Sequence, residues 1–207
     1  MNKPAAANPR KAMTKSRLSA AERRSKFLEA AAAIVVEQGL PAVTMEEVAA
    51  RTGVNKRLGY RYFTNREELL RALLNQEMRE AGSRARAILP AKPDLRQLVS
   101  ANIQVWLELA RERGPLLSKM FSDDAVFPDI AKEVHDLAVK DWAAVLRNSH
   151  AIPKARADVV ARMYLAALRG AVDALGLKVA TLDEIVSIYT TVAVAGADAV
   201  AKLKRAR

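Results

Sequence analysis

The chain has 207 residues, 28% of them charged and 51% hydrophobic, which is the composition of a globular protein long enough to bury a sizeable core. It contains no cysteine, which excludes disulfides, thiolate metal sites and cysteine nucleophiles. The net charge of +11 is uneven, because residues 1–66 hold 13 Lys and Arg against 5 Asp and Glu, whereas residues 67–201 nearly balance. A basic N-terminal third indicates a polyanionic partner for that third.

Residues 1–18 form a basic stretch rich in Pro, Ala and Asn that contains no acidic residue. Such a composition predicts an arm that is disordered without a partner. Its cations either follow a DNA backbone, enter a minor groove, or belong to a tail that contacts nothing. The arm lacks the apolar core of a secretory signal, and the apolar stretch Ile185–Ala197 is shorter than the roughly 18 residues of a membrane span. We therefore expect a cytoplasmic protein.

Two capping boxes predict the first two helices. Ser19 and Glu22 have the required spacing and open a helix that ends at Gly39. Thr44 and Glu47 have the same spacing and predict a short second helix.

A third helix should follow after a tight turn. Gly53 suits the left-handed position that ends the second helix, and Asn55 can cap the third. Helical spacing places four side chains on one face of that third helix: Lys56, Arg57, Tyr60 and Arg61. The opposite face is mainly apolar, with Leu58, Gly59, Tyr62 and Phe63. A basic face opposite an anchored face is what a helix needs to enter a DNA groove.

Further capping residues, prolines and glycines predict helices that begin near residues 65, 94, 116, 127, 153 and 181. The chain shows no convincing run of alternating β-branched residues. We therefore predict an all-α protein of about nine helices, in which a three-helix unit (residues 19–64) is joined by helix 4 to a larger helical domain (residues 65–207).

The stretch of residues 27–70 resembles the TetR family of transcriptional regulators. Its sequence is FLEAAAAIVVEQGLPAVTMEEVAARTGVNKRLGYRYFTNREELL. The apolar stripe of the first helix, the segment around Thr44, the Gly53–Val54 turn and the Tyr-x-Tyr-Phe end of the third helix agree with the family in order and spacing.

The resemblance implies a homodimer that binds a palindromic operator in double-stranded DNA and responds to a small-molecule effector. It also implies DNA contacts from Thr44, Asn55, Lys56, Arg57, Tyr60, Arg61 and Arg66. Arginine can read guanine through two hydrogen bonds, whereas helix N-termini at Thr44 and Arg66 suit phosphate. Gly59 departs from the family, which usually has Leu, Ile or Val there. Glycine at this position predicts either that the third helix, which would contact DNA, is more mobile or that it approaches a neighbouring helix more closely.

Polar residues within apolar stripes mark candidate positions for an effector pocket in the second domain. Asn102 and Asp141 interrupt such stripes, so each needs a partner, which is either another core group or a ligand. Further side chains could form the walls, although ordinary core packing remains the alternative for each: Trp106, Met120, Phe121, Phe127, His135, Trp142 and Met163. We expect no cofactor and no metal site, because histidines are sparse and cysteine is absent.

The last two helices are rich in small residues, and the final one is apolar around most of its circumference. This pattern predicts a four-helix interface between two subunits, with a buried core helix of a monomer as the alternative.

The leading hypothesis is a dimeric, ligand-responsive DNA-binding regulator, most often a repressor in this family, released by a small and largely apolar effector. The alternative is a helical small-molecule-binding protein or enzyme with an incidental DNA-binding-like unit. Against an enzyme stand the absence of a nucleophile constellation and of a phosphate loop, so we predict no catalytic residues. An architectural DNA binder is disfavoured by the large second domain.

Overall fold

A computed structural model describes residues 19–114, 116 and 128–203, and this part of the chain contains eight α-helices and no strand. A 3₁₀ turn at Leu40–Ala42 joins the first two helices. The helices are α1 Ala20–Gln38, α2 Met45–Thr52, α3 Lys56–Tyr62, α4 Arg66–Ile88, α5 Leu95–Arg113, α6 Pro128–His150, α7 Lys154–Gly176 and α8 Leu182–Lys202. The predicted all-α class is confirmed. The basic arm of residues 1–18 and nearly all of the predicted short helix at 116–122 lie outside the described residues.

The helices begin at the capping residues that the sequence indicates. Complete capping boxes form at Ser19, Asp94 and Thr181, at the starts of α1, α5 and α8. At Thr44 and Asn65 the side chain accepts from the backbone N–H three residues on, so α2 and α4 also begin at a capped residue. Local side-chain chemistry therefore sets most of the helix boundaries.

The N-terminal core is formed by α1, α2, α3 and the first half of α4. Its largest fully buried side chains include Phe27, Ile34, Phe63, Leu69 and Leu73. The leucines of α4 are therefore part of the same core as the first three helices, and α4 continues beyond that core toward the second half of the chain.

The C-terminal core is formed by α5, α6, α7 and α8. Val99 and Leu146 are buried there, together with Ile152 and the alanines of α7 and α8. Near one end of α6, His150 Nε2 lies 3.1 Å from Asp198 Oδ1, which fastens α6 to α8.

Helix α4 links the two cores. It has 23 residues, a length of about 35 Å. Beyond its leucines, Ala81 packs against Val105 and Leu109 of α5. Arg84 of α4 also pairs with Glu112 of α5 at 2.8 Å.

Glu77 is a carboxylate that α4 buries completely between the two cores. Arg113 Nη1 lies 3.5 Å from its Oε1, but neither oxygen accepts a hydrogen bond in the described part of the chain. Burial raises the pKa of Glu77, because an apolar surrounding disfavours the charged form; nearby Arg113 opposes the shift.

Helix α8 is long and apolar enough to span a membrane by length and composition alone, with a mean hydropathy of 1.3 over its most apolar 18 residues. The apolar run Ile185–Ala197 is part of this longer helix, and the core helix of a soluble protein can pass the same test. The first turn of α8 carries the acidic residues Asp183 and Glu184, and 22% of that apolar stretch is buried within one chain.

We predict that Glu77→Gln increases the free energy of unfolding at pH 7 by about 1–3 kcal/mol, because glutamine is neutral and burial penalises the charged carboxylate more than an amide. Folding raises the pKa of Glu77. The contribution of its protonated carboxyl to stability is therefore fully present below the pKa of the unfolded state, and it is lost as the pH rises through the pKa of the folded state. The advantage of the glutamine variant should therefore shrink toward pH 4. Urea unfolding of both proteins at several pH values measures this difference.

Glu80→Gln is the matched control, since Glu80 lies one turn on and pairs with Arg84 near the surface at 2.8 Å. A Glu77→Gln variant that is less stable than the wild type at pH 7 would show that the pair with Arg113 outweighs the cost of burial.

Candidate nucleic-acid interface

Helices α2 and α3 are joined by a tight turn that requires a left-handed backbone conformation at one residue. Gly53 adopts the left-handed conformation (φ 64°, ψ 24°), and its N–H bonds to the carbonyls of Ala49 and Ala50. Asn55 Oδ1 then accepts from the N–H of Arg57 at 2.9 Å and caps α3. The turn thus ends one helix and starts the next within three residues.

The two faces of α3 differ as the sequence predicts. Arg57 and Arg61 are exposed and Tyr60 is 43% exposed, whereas Gly59 and Phe63 are buried. The side chain of Lys56 lies outside the described part of the structure. α3 therefore presents cationic and hydrogen-bonding groups to solvent from one face and packs with the other.

An aromatic cluster anchors the buried face of α3 to α1. The ring of Phe27, which has no exposed surface, lies 6.1 Å from the ring of Tyr62 and 6.3 Å from the ring of Phe63. The guanidinium of Arg24 lies 4.9 Å from the centre of the Phe63 ring, in cation–π range. These contacts hold α3 against the core on the side away from its cations.

Thr44 lies exposed at the N-terminus of α2, where its hydroxyl accepts from the N–H of Glu47 at 3.0 Å. An N-terminal turn of a helix attracts anions through free N–H groups and the helix dipole. Thr44 and α3 both face solvent, so the predicted phosphate contact of Thr44 stays a prediction with compatible geometry.

Arg66 has a different environment from the one that a phosphate contact requires. Its Nε donates to the carbonyl of Val43 at 2.5 Å, and Nη2 donates to the carbonyl of Leu40 at 2.6 Å. Partial burial lowers the pKa of this guanidinium. The side chain thus fastens the start of α4 to the segment that leads into α2, and we revise its predicted role from phosphate contact to positioning residue.

The candidate residues for an effector pocket are spread over more than one packing cluster. Trp106 packs near Ala81 of α4, while Trp142 packs edge-on against Tyr164 of α7 at 5.8 Å. Asn102 and His135 are half-buried. Met120, Phe121 and Phe127 lie outside the described residues.

Asp141 and Met163 are exposed, so the prediction that they line an internal cavity does not fit a single chain. The buried face of α6 is formed by Val139, Ala143 and Leu146, and Asp141 points about 200° away from its first two positions. No group of three or more metal-ligating side chains occurs within the described ranges.

Sequence reasoning missed two features of this region. Glu77 follows Leu73 and Leu74 on the apolar stripe of α4, so the same pattern that singled out Asn102 could have identified it. The carbonyl contacts of Arg66 had no such signal, because they depend on the chain returning to residues more than 20 positions earlier.

Two short helices joined through a left-handed glycine, with a cationic solvent face on the second, define a helix–turn–helix unit. Residues 27–73 match the family model for bacterial regulatory proteins of the TetR family. The N-terminal region of the chain thus matches the DNA-binding region of TetR-family regulators.

Named relatives agree with this assignment. The chain is 31% identical over 120 residues to the transcriptional activator FasR of Mycolicibacterium smegmatis, an alignment that covers 58% of this chain and 55% of FasR. It is 34% identical over 110 residues to the transcriptional repressor KstR of the same organism, with 52% of each covered. The chain thus spans about half the length of these curated relatives.

The whole described fold also resembles solved structures. A TetR-like regulator from Rhodococcus sp. RHA1 has a TM-score of 0.69 at 18% identity, and the match covers 87% of this chain and 98% of that one. Because the identity is low, this structural similarity supports a shared fold for the second domain as well, but it gives no information on ligands.

We predict that Arg66→Ala lowers the free energy of unfolding by about 2–3 kcal/mol, because two hydrogen bonds from a charged group to carbonyls are lost. Arg66→Lys should recover only part of this, since an ammonium cannot reproduce the planar two-point contact. Thermal or urea unfolding followed by circular dichroism measures both. Wild-type stability of Arg66→Ala would contradict the positioning role.

Proposed function

We propose that the protein is a dimeric transcriptional regulator that binds a palindromic operator through α2 and α3 and is released by a small, largely apolar effector. The observation that carries the proposal is the exposed cationic face of α3, held by a buried aromatic cluster on its other side. The excess of positive charge in residues 1–66 supports the same partner.

In this proposal the solvent face of α3 enters the major groove. Arg57 and Arg61 read base edges, because a guanidinium can pair with guanine through two parallel hydrogen bonds. Tyr60, Lys56 and the N-terminus of α2 at Thr44 contact phosphates and fix the register.

We predict that Arg61→Ala weakens operator binding by about tenfold or more, the cost of one good base contact. The probe is the duplex that the wild-type protein selects from a random-sequence library, and fluorescence anisotropy at moderate salt measures the dissociation constant. Circular dichroism should show unchanged folding, because Arg61 is exposed.

Arg111→Ala is the matched control, since it removes the same charge from an exposed position on α5. Equal affinities for Arg61→Ala and Arg111→Ala would remove Arg61 from the proposed interface.

The outer surfaces of α7 and α8 support a dimer. Val159 and Met163 of α7 are 57% and 65% exposed, and Ile188 and Val192 of α8 are 61% and 67% exposed. Each stripe continues at helical spacing through small exposed residues: Ala166 and Gly170 on α7, Ala195 and Ala199 on α8. The two helices pack together as neighbours, so the stripes form one apolar surface for a second copy of this pair.

We predict that Val192→Glu converts the dimer to a monomer at micromolar concentration, because two like charges would be buried across a two-fold interface. Sedimentation velocity measures the mass. The control is Val179→Glu, which makes the same change at a 73% exposed position in the turn between α7 and α8. A wild-type protein that sediments as a monomer would refute this interface.

The effector part of the proposal rests on half-buried aromatic and polar groups of the second domain, namely Asn102, Trp106, His135 and Trp142. Among the relatives, FasR is described as an activator and KstR as a repressor. We propose that the protein represses transcription and is released by an apolar compound. Expression of a reporter gene placed behind the selected operator should then be higher in cells that lack the protein.

A helical enzyme or ligand carrier with an incidental DNA-binding-like unit is the competing function. Ser149 Oγ does lie 2.8 Å from His150 Nδ1, but this hydroxyl bonds to the carbonyl of Val145 on its own helix. We assign the group to helix packing and propose no catalysis. A wild-type protein that selects no sequence from a random library would favour the competing function.

A further inference from the structure

Gly59 lies in the middle of α3 at the point where this helix touches α1. A methyl group added there would lie 3.0 Å from Cε1 and 3.3 Å from Cζ of Phe27, and 3.5 Å from Cε of Met45. Contacts of 3.0–3.4 Å are tighter than nine in ten real Cβ contacts, so a neighbour would have to give by a few tenths of an ångström.

Phe27 has little room to move. Its ring is fully buried, and Tyr62 and Phe63, which follow Gly59 on the same face of the structure, pack against it. Met45 is the softer neighbour, because an unbranched thioether adapts to small changes in shape. The aromatic ring is therefore the fixed surface against which α3 rests.

The other glycines within helices are not comparable. A methyl group at Gly170, Gly176 or Gly196 would meet nothing within 4 Å, and at Gly82 it would meet the end of the flexible Arg86 side chain. Gly59 is the helical glycine whose missing side chain permits a close approach to a packed ring.

We propose that the contact between Gly59 and Phe27 sets how far α3 stands out from the domain, and thereby determines how well the protein discriminates its operator from other DNA. This inference rests on the proposed DNA-binding function. Arg57 and Arg61 lie on the opposite face of the same seven-residue helix, so a shift at Gly59 moves both. Hydrogen bonds to base edges tolerate only a few tenths of an ångström, whereas attraction to phosphates is long-ranged.

The effect on discrimination is separable from the effect on stability. Alanine favours a helix over glycine by about 1 kcal/mol, so Gly59→Ala offsets part of any cost of the tight contact. Neither residue carries charge, so binding to non-specific DNA should not change. If Gly59 only stabilised the domain, its replacement would weaken specific and non-specific binding together, because both are lost when the domain unfolds.

The experiment compares Gly59→Ala, Phe27→Leu and the double variant with the wild type, at a temperature where circular dichroism shows each to be folded. Affinities are measured for the duplex selected by the wild-type protein and for a scrambled duplex of the same length and composition. Gly176→Ala is the matched control, a helical glycine with open space around it.

We expect Gly59→Ala to reduce the ratio of specific to non-specific affinity by about tenfold, the size of one lost base contact, with non-specific affinity unchanged. Phe27→Leu should also reduce this ratio, because the ring that supports α3 is gone. The double variant should recover at least part of the loss, since leucine leaves space for the added methyl group.

If Gly59→Ala does not fold, Phe27→Leu alone decides the question. A wild-type ratio in the folded single variants, or equal losses of specific and non-specific affinity, would overturn the proposal. If the wild-type protein does not discriminate between the two duplexes, the proposed function itself fails, and this inference fails with it.

Discussion

The fully buried ring of Phe27 connects α1 with the aromatic side chains of α3, and the conformation of the N-terminal unit depends on it. A seven-residue helix has too few internal hydrogen bonds to persist alone in water. Its position is therefore determined by packing, and on α1 the surface it meets includes the buried ring of Phe27 and the guanidinium of Arg24. Glycine at position 59 allows the backbone of α3 to reach that ring, so the departure from the family pattern produces a close approach between helices.

Contacts outside α3 complete this support. Arg66 connects α4 to the segment before α2 through two carbonyls, and Leu69 and Leu73 extend the same core. The helix–turn–helix unit thus shares its core with the first half of α4. A boundary between domains placed at residue 64 would divide that core, because the buried leucines of α4 follow residue 64 and still pack against the first three helices.

Much of the fold could be predicted from the sequence because its helix boundaries are decided locally. Ser19, Asp94 and Thr181 cap helices through contacts of three residues' span, and Gly53 terminates α2 through its own backbone conformation. The exposed face of α3 follows from helical spacing alone. The environments of Asp141 and Arg66 could not be predicted from local sequence. The exposure of Asp141 depends on which face of its helix packs inward, and the hydrogen bonds of Arg66 depend on carbonyls that are distant in sequence.

The two halves of α4 are held by contacts of different kinds. The first half is fixed by buried leucines, and large apolar side chains in a close-packed core resist displacement. The second half packs against α5 through a smaller apolar cluster, formed by Met78, Ala81 and Ala85 of α4 and Val105, Trp106 and Leu109 of α5. The partly exposed pair of Arg84 with Glu112 adds little, as is usual for exposed ion pairs. The carboxylate of Glu77 is buried where the two halves meet, and neither oxygen accepts a hydrogen bond in the described part of the chain. The junction between the two cores is therefore the part of α4 where a buried polar group has the fewest partners among the described residues.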